Sequence, residues 1–345
     1  MIHLVRRLLV ALLCFAAACA WSQIRIGQTV GLSGAVAETS KEATSGAKLY
    51  FDAVNARGGI GGQKIELISL DDQFEPKIAV DNAKTLIDQG VIALFLNRGT
   101  PHTEAIAPLL AQAQVPLVGP STGAMSLHKP VQPWIFHVRA TYQREAEKCV
   151  QHLATVGVER IAIIQVDDSF GSDAAAGALR GFAALQSKPV VHEKYNRAKP
   201  EFGTIVPKVV TADAQAVLVI GSGTAVVEAM KALRAAGSKA QLLTLSNNAS
   251  GGFVKALGPI ARGVVVSQVF PSERALAIPI IKEATELARA KGIAELTPAM
   301  IEGFAAAKVL VEGLRRAGKN PTRASLHAAL EGLHKVDLGG LEISY

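Results

Sequence analysis

The feature that most constrains the fold is an alternation of strand-like and helix-like segments that runs through the chain twice. In the first series "IRIGQTVGLSG" reads as a strand, "TSKEATSGAKLYFDAVNA" as a helix and "KIELISLDD" as a strand. "PKIAVDNAKTLIDQG" reads as a helix opened by proline and closed by glycine, "VIALFLN" as a strand, "TEAIAPLLAQAQ" as a helix and "VPLVGPS" as a strand, before a loop and "WIFHVR". The second series contains "EAEKCVQHLATVG", "RIAIIQVD", "SDAAAGALRGFAAL", "PVVHEKYN", "FGTIVPKVVTA", "AVLVIG", "AVVEAMKALRAAG", "QLLTLS" and "GVVVSQVF". Three helical stretches follow between Ile278 and Leu333. Strands buried on both faces and alternating with helices require parallel, doubly wound sheets. The fold class expected is therefore α/β with two similar lobes, and 345 residues with 49% hydrophobic content are enough for two cores.

Within the first helix, Thr39 and Glu42 have the spacing of a capping box, and positions 43, 46, 47, 50, 51 and 54 make one apolar face. After it comes "NARGGIGGQ", with glycines at 58, 59, 61 and 62. A dinucleotide fingerprint needs its glycines after a strand and before a helix. Here the order is reversed, and no lysine-serine or lysine-threonine pair follows. The glycines read as a helix end and a turn into the next strand.

Residues 1–22 read as a secretory signal peptide: a basic head "MIHLVRR", an apolar run "LLVALLCFAAACA", then small residues. Lipid anchoring at Cys19 is the weaker alternative, since Ala16 stands where a leucine is usual. Loss of Arg6 and Arg7 leaves 34 basic against 29 acidic side chains, about +5. Cys149 is then the one cysteine left, so no internal disulfide is expected. The basic residues are scattered, so no nucleic-acid partner is expected.

"GPSTG" (119–123) matches G-x-S-x-G, which in a hydrolase presents a nucleophilic serine, here Ser121, between strand and helix. The following "AMSLHKPVQPW" is a poor helix start, and no histidine downstream has a distinctive setting. The acid pairs Asp71–Asp72 and Asp167–Asp168 end strands; with no third ligand at metal spacing, they read as turn and helix caps, and no metal or cofactor is expected. The strand-end loops "NRGTPHT", "GPSTG", "DDSFGSD", "GSGT" and "SNNASG" could converge in a crevice. Their hydroxyls and helix-start N–H groups would suit a carboxylate. Ordinary N-capping by Thr100, Thr103, Ser172 and Thr224 is the alternative.

The segments "VGLSG", "AVNARGGIGGQKIEL", "DDQFEPKIAVDNAKTLI", "IAPLLAQAQVPLVGP", "ERIAIIQVDDSFG" and "ALRAAGSKAQLL" together resemble the type I periplasmic solute-binding proteins of ABC importers, in the leucine/isoleucine/valine-binding branch. The resemblance runs from Ile24 to the end. It implies two Rossmann-like lobes joined by a three-segment hinge that close on a solute without turning it over. Lobe I would be 23–141 with 271–335 and lobe II 142–270, with crossings near Thr141, Phe270 and Val336. Residues 336–345 would be the third crossing and the start of a truncated strand segment. The implied protein is a periplasmic monomer working with ABC permease and ATPase subunits; a sensor module of the same fold and an exported hydrolase are the alternatives.

By the same resemblance, Thr100 matches a ligand-binding serine, and Ser121, Thr122 and Gly123 match the loop that takes an α-carboxylate. Thr39 and Ser222 stand at aromatic positions, and Phe170 at that of a tyrosine. Ser246 and Arg144 stand where acids would hold an ammonium, so the solute expected is a small carboxylate-bearing molecule, branched-chain amino acid-like or another organic acid or amide, that need not be a standard amino acid. Arg98 and Arg144, if turned inward, would suit a second anionic group on the ligand.

Overall fold

The computed structural model describes residues 23–345. The expected signal peptide, with Cys19, lies outside the described residues. The first sheet contains β1 (Gln23–Val30), β2 (Lys64–Asp71), β3 (Ala93–Phe95), β4 (Leu117–Val118) and β5 (Ile135–Phe136), in the order β2-β1-β3-β4-β5. The second contains β6 (Ile161–Val166), β7 (Val191–Tyr195), β8 (Ala216–Ile220), β9 (Gln241–Thr244) and β10 (Val265–Val266), in the order β10-β9-β8-β6-β7. Every pairing is parallel, with Ile26 beside Leu67 and Ala93, and Ile163 beside His192 and Leu218. The continuous runs Ile161–Val166 and Ala216–Ile220 are fully buried, as strands covered by helices on both faces must be. Each sheet thus follows the same order, second-first-third-fourth-fifth, whose crevice lies beyond the carboxyl ends of the strands.

Helices α1 (Ala37–Ala56), α2 (Pro76–Asp88) and α3 (Thr100–Ala113) cover the first sheet, and α4 (Tyr142–Thr155), α5 (Ser169–Ala184), α6 (Ile205–Thr211), α7 (Thr224–Ala235) and α8 (Gly251–Leu257) the second. Then α9 (Pro279–Ala290), α10 (Pro298–Ala317) and α11 (Arg323–Glu331) return to the first lobe. One core gathers Ile26, Phe95, Val118 and Phe304 under α1 and α10. The other runs from Ala79, Leu86 and Ile106 through Leu127 and Tyr142 into the second sheet. Among the described residues no helix is long and apolar enough to cross a membrane.

Two local expectations change. The helix begins at Ala37, two residues before Thr39, so the capping box does not form. Instead Thr39 Oγ1 meets Ser250 Oγ at 2.9 Å, and Glu42 accepts from the N–H groups of Gly251 and Gly252 at 3.0 and 2.8 Å, both contacts reaching the second lobe. At the other end, residues expected to make a third crossing form an antiparallel hairpin, β11 (Val336–Asp337) with β12 (Glu342–Ile343). It packs back on the first lobe: Leu338 and Ile343 join the Ile26 core, and Tyr345 donates to the His137 carbonyl at 2.7 Å.

Candidate functional site

A void of about 10 Å³ lies between the lobes, lined by Phe74, Arg98, Gly99, Thr100, Ser121, Tyr142, Phe170, Arg197, Ser222 and Asn247. Phe74 follows β2, Arg98 follows β3, Ser121 follows β4 and Tyr142 follows β5. Phe170, Arg197, Ser222 and Asn247 follow β6, β7, β8 and β9. Eight strand ends therefore converge here, the place where a doubly wound sheet binds ligands.

Local structure aims these side chains. Gly99 precedes α3 at φ 100°, and a Cβ there would stand 2.4 Å from His102 Nδ1, so the turn requires glycine. Because Gly99 and Gly223 hold the N-cap positions of α3 and α7, Thr100 and Thr224 do not cap; Thr100 Oγ1 instead meets Thr122 Oγ1 at 2.7 Å. At α5 the cap is Asp168, which accepts from Gly171 N at 2.9 Å. Thr100, Tyr142 and Phe170 sit in the first turns of three helices, so three positive helix ends border the void.

Phe74 is presented by a turn in which Gln73 and Phe74 both have positive φ, 54° and 62°. Such backbone is unfavourable for residues with a Cβ. The two aspartates hold it: Asp71 Oδ1 accepts from Gln73 N at 2.9 Å and Leu32 N at 2.8 Å, and Asp72 Oδ1 from Phe74 N at 2.9 Å. The Asp71–Asp72 pair thus serves a turn, as the sequence suggested. Phe74 stacks on His102, centroids 4.5 Å apart, and carries the Arg197 guanidinium of the second lobe over its ring at 5.0 Å. Burial holds His102 down at about 4, so the ring is neutral.

Three arginines differ in their partners. Arg197 is paired with Asp168. Arg139 reaches Glu145 and Glu302, each at 3.4 Å, and Ser246 Oγ at 2.6 Å. Burial alone would lower its pKa; the Tyr142 ring and the two carboxylates outweigh that and raise it. Arg98 is 4% exposed and, among the described residues, has no carboxylate partner. It donates to Ser121 Oγ at 3.4 Å and to the backbone carbonyl of Asn247, while its Nε has no partner. Burial lowers its pKa; Tyr142 and the more distant Glu302 carboxylate oppose that, and Arg139 and Arg197 add to it. An arginine remains charged at any ordinary pH. The void is therefore lined by a buried cation with unused donors, three helix N-termini and the hydroxyls of Thr100, Ser121, Tyr142 and Ser222, a set suited to an anion.

Of the expected site residues, the structure brings together Arg98, Thr100, Ser121, Phe170 and Ser222. Thr122 supports Thr100 from behind, and Gly123 packs against the Ala140–Tyr142 backbone, where a Cβ would stand 2.4 Å from the Ala140 oxygen. Ser246 is buried against Arg139 and Glu145, and Thr39 lies at the seam against Ser250. Arg144 is exposed beside Lys148 and His152 in a separate concavity. It lies two positions beyond Tyr142, about 200° around the helix, so it cannot share the face that Tyr142 and Glu145 turn inward. Phe74, Tyr142, Arg197 and Asn247 were missed, although Asn247 belongs to the "SNNASG" loop and Phe74 lies two residues after the Asp71–Asp72 pair. Ser121 Oγ meets Arg98, not a histidine.

Comparisons with known proteins bear on the two-lobed fold. A family profile described as periplasmic binding protein matches residues 23–344. The chain is 25% identical over 318 residues to a Leu/Ile/Val-binding protein homolog from Brucella melitensis, covering 91% of this chain and 84% of that one. A solved substrate-binding periplasmic protein from Ralstonia solanacearum is 35% identical, covers 93% of both chains and superposes with a TM-score of 0.87. A solute-binding protein of an ABC transporter from Rhodopseudomonas palustris, solved in complex with benzoate, shares the fold at 17% identity, with a TM-score of 0.81 and 94% and 91% coverage. With two parallel-sheet lobes meeting at a crevice and a family match over all but one of its described residues, the chain belongs to the periplasmic binding protein family.

Proposed function

We propose that this chain is the extracytoplasmic solute-binding component of an ABC importer. It takes a small carboxylate-bearing molecule between its lobes and passes it unaltered to a permease, as a monomer in the periplasm. The observation that carries this reading is Arg98: a buried guanidinium, unpaired with any described carboxylate, at the meeting point of eight strand ends. A buried charge is costly unless it is compensated, and a ligand carboxylate supplies the compensation.

The ligand class favoured lacks a free ammonium. Glu145, the acid nearest this role, already accepts from Ser246 N, Ser246 Oγ, Ser267 Oγ and Arg139. Asp168 is committed to Arg197 and Gly171 N. That the fold of the Rhodopseudomonas protein accommodates benzoate, a carboxylate without an amino group, is consistent with this. A thermal-shift screen over amino acids, aliphatic and aromatic acids, dicarboxylates and amides tests it. A ligand at about a hundredfold over its Kd adds about 2.7 kcal/mol to the folded state. Shifts confined to carboxylates without an amino group are expected; a shift confined to branched-chain amino acids, or to amides, contradicts the reading.

A further inference from the structure

Two buried polar side chains face the same void with bonding capacity unspent. Arg98 keeps its Nε–H without a partner, and Asn247 keeps its side-chain oxygen without one. They adjoin, since the Arg98 guanidinium donates to the backbone carbonyl of Asn247. The orientation of the Asn247 amide is fixed by its neighbours: Nδ2 donates to the Gly221 carbonyl at 2.9 Å and to Ser222 Oγ at 3.2 Å, which consumes both amide hydrogens. The group left without a partner in this void-lining residue is therefore Oδ1, an acceptor. Asn247 is 3% exposed, so bulk water does not satisfy it.

A cationic donor beside a neutral acceptor reads a particular ligand head. A carboxylate answers Arg98 but brings no hydrogen to Asn247. An ammonium would bring three N–H groups and a charge to one neutral oxygen beside a guanidinium, with Glu145 and Asp168 already engaged. A 2-oxo group offers only acceptors. A hydroxyl on the carbon next to the carboxylate gives one neutral donor, and the void of about 10 Å³ has room for a group of about water size. A chamber of about 460 Å³ adjoins the void, sharing Phe74, Arg197 and Ser222 with it, and is the space on offer for the rest of the ligand.

We infer that the solute is a 2-hydroxy carboxylate, with its carboxylate on Arg98 and its hydroxyl donating to Asn247 Oδ1. The inference rests on the carboxylate-binding reading of this cleft and narrows it to a substrate class. An acceptor left buried and unpaired keeps its desolvation cost, so about a tenfold preference for the hydroxy acid is expected.

The test is calorimetric titration of the full mature chain with matched sets. One is valine, 2-hydroxy-3-methylbutanoate, 2-oxo-3-methylbutanoate and 3-methylbutanoate; another is phenylalanine, 3-phenyllactate, phenylpyruvate and 3-phenylpropanoate; lactate, pyruvate, alanine and propanoate form a third. In at least one set the hydroxy acid should bind about tenfold tighter than its oxo and unsubstituted partners, and the amino acid weakest. In Asn247→Leu that preference should fall to about twofold or less while the unsubstituted acid keeps its affinity. If this variant does not fold, the comparison of ligands on the wild-type chain decides alone. Equal binding of hydroxy and unsubstituted acids overturns the hydroxyl assignment and leaves the carboxylate reading standing. Tightest binding of the amino acid, or no binding in any set, overturns both.

Discussion

Arg98 of the first lobe donates through Nη2 to the backbone carbonyl of Asn247 in the second. The cation proposed to take the anion is therefore also a tie between the lobes, and on that proposal anion recognition and lobe closure would be coupled. The seam around it is built alike. Gly223 lies so close to the first lobe that a Cβ would stand 1.8 Å from the Ala35 oxygen. Glu104 accepts from Ser169 Oγ at 2.6 Å, and Asp173 from Met125 N at 3.1 Å.

Glu42 is the clearest lever on closure alone, because it leaves the void untouched and accepts two N–H groups at the start of α8. Removing a cap of this kind costs about 1 kcal/mol. Glu42→Ala should weaken ligand binding about fivefold, through faster release, with the order of preference among ligands unchanged. Stopped-flow release rates and a ligand panel check this; an altered order of preference would show that Glu42 does more than latch.

Glu145 joins segments that cross between lobes. It accepts from Arg139 before the first passage and from Ser267 near the second, and Arg139 continues to Glu302 on α10. Breaking a buried ion pair by removing one partner costs about 3–5 kcal/mol. Glu145→Ala should lower the melting temperature strongly, and Glu145→Gln by less. A melting temperature for the alanine variant within about 2 °C of the wild type would remove this cluster from the account of hinge stability.

Helices α1 and α10 touch backbone to backbone. A Cβ on Gly46 would stand 1.9 Å from the Met300 oxygen, and one on Gly303 1.8 Å from the Ala43 oxygen. Gly303→Ala should destabilise the first lobe by about 1–3 kcal/mol or more through overpacking. Urea unfolding measures this, and an unchanged midpoint would contradict the contact.

Acid titration should expose two opposed contributions. Burial raises Asp72 to about 6, so between pH 6 and 4 the folded chain takes up that proton first, and stability gains as pH falls. Burial lowers His102 and His137 from 6.5 to about 4, so there the unfolded chain takes up protons first, and stability is lost as pH falls. Burial also lowers His128 and His192 and raises Asp173, so four histidine losses stand against two aspartate gains and predict a net decline below pH 6.5. Asp72→Asn, which lacks one of the gains, should decline more steeply; melting profiles parallel to those of the wild type would count against it.

The strand–helix alternation and the glycines at 58, 59, 61 and 62 were legible because their causes are local. All four glycines have positive φ between Ala56 and Lys64, as a helix end and turn demand. Arg98, Thr100 and Ser121 were legible too, since each follows a recognisable strand. Arg197 and Asn247 were not singled out, because only the meeting of the two lobes in space brings them beside Arg98. Thr39 and Glu42 were read as a local cap for the same reason: their true partners, Ser250 and the α8 backbone, lie more than two hundred positions away. Arg144 was misplaced by helical phase, which the start of α4 at Tyr142 decides.

The most direct test titrates non-amino carboxylates and branched-chain amino acids into the wild-type chain and into Arg98→Leu, then recovers the bound solute for mass analysis. The account predicts saturable binding of at least one non-amino carboxylate, recovery at unchanged mass, and at least a thirtyfold loss of affinity without the guanidinium, about 2 kcal/mol or more. Full affinity in Arg98→Leu, or tight binding of leucine with none of the non-amino acids, would contradict it.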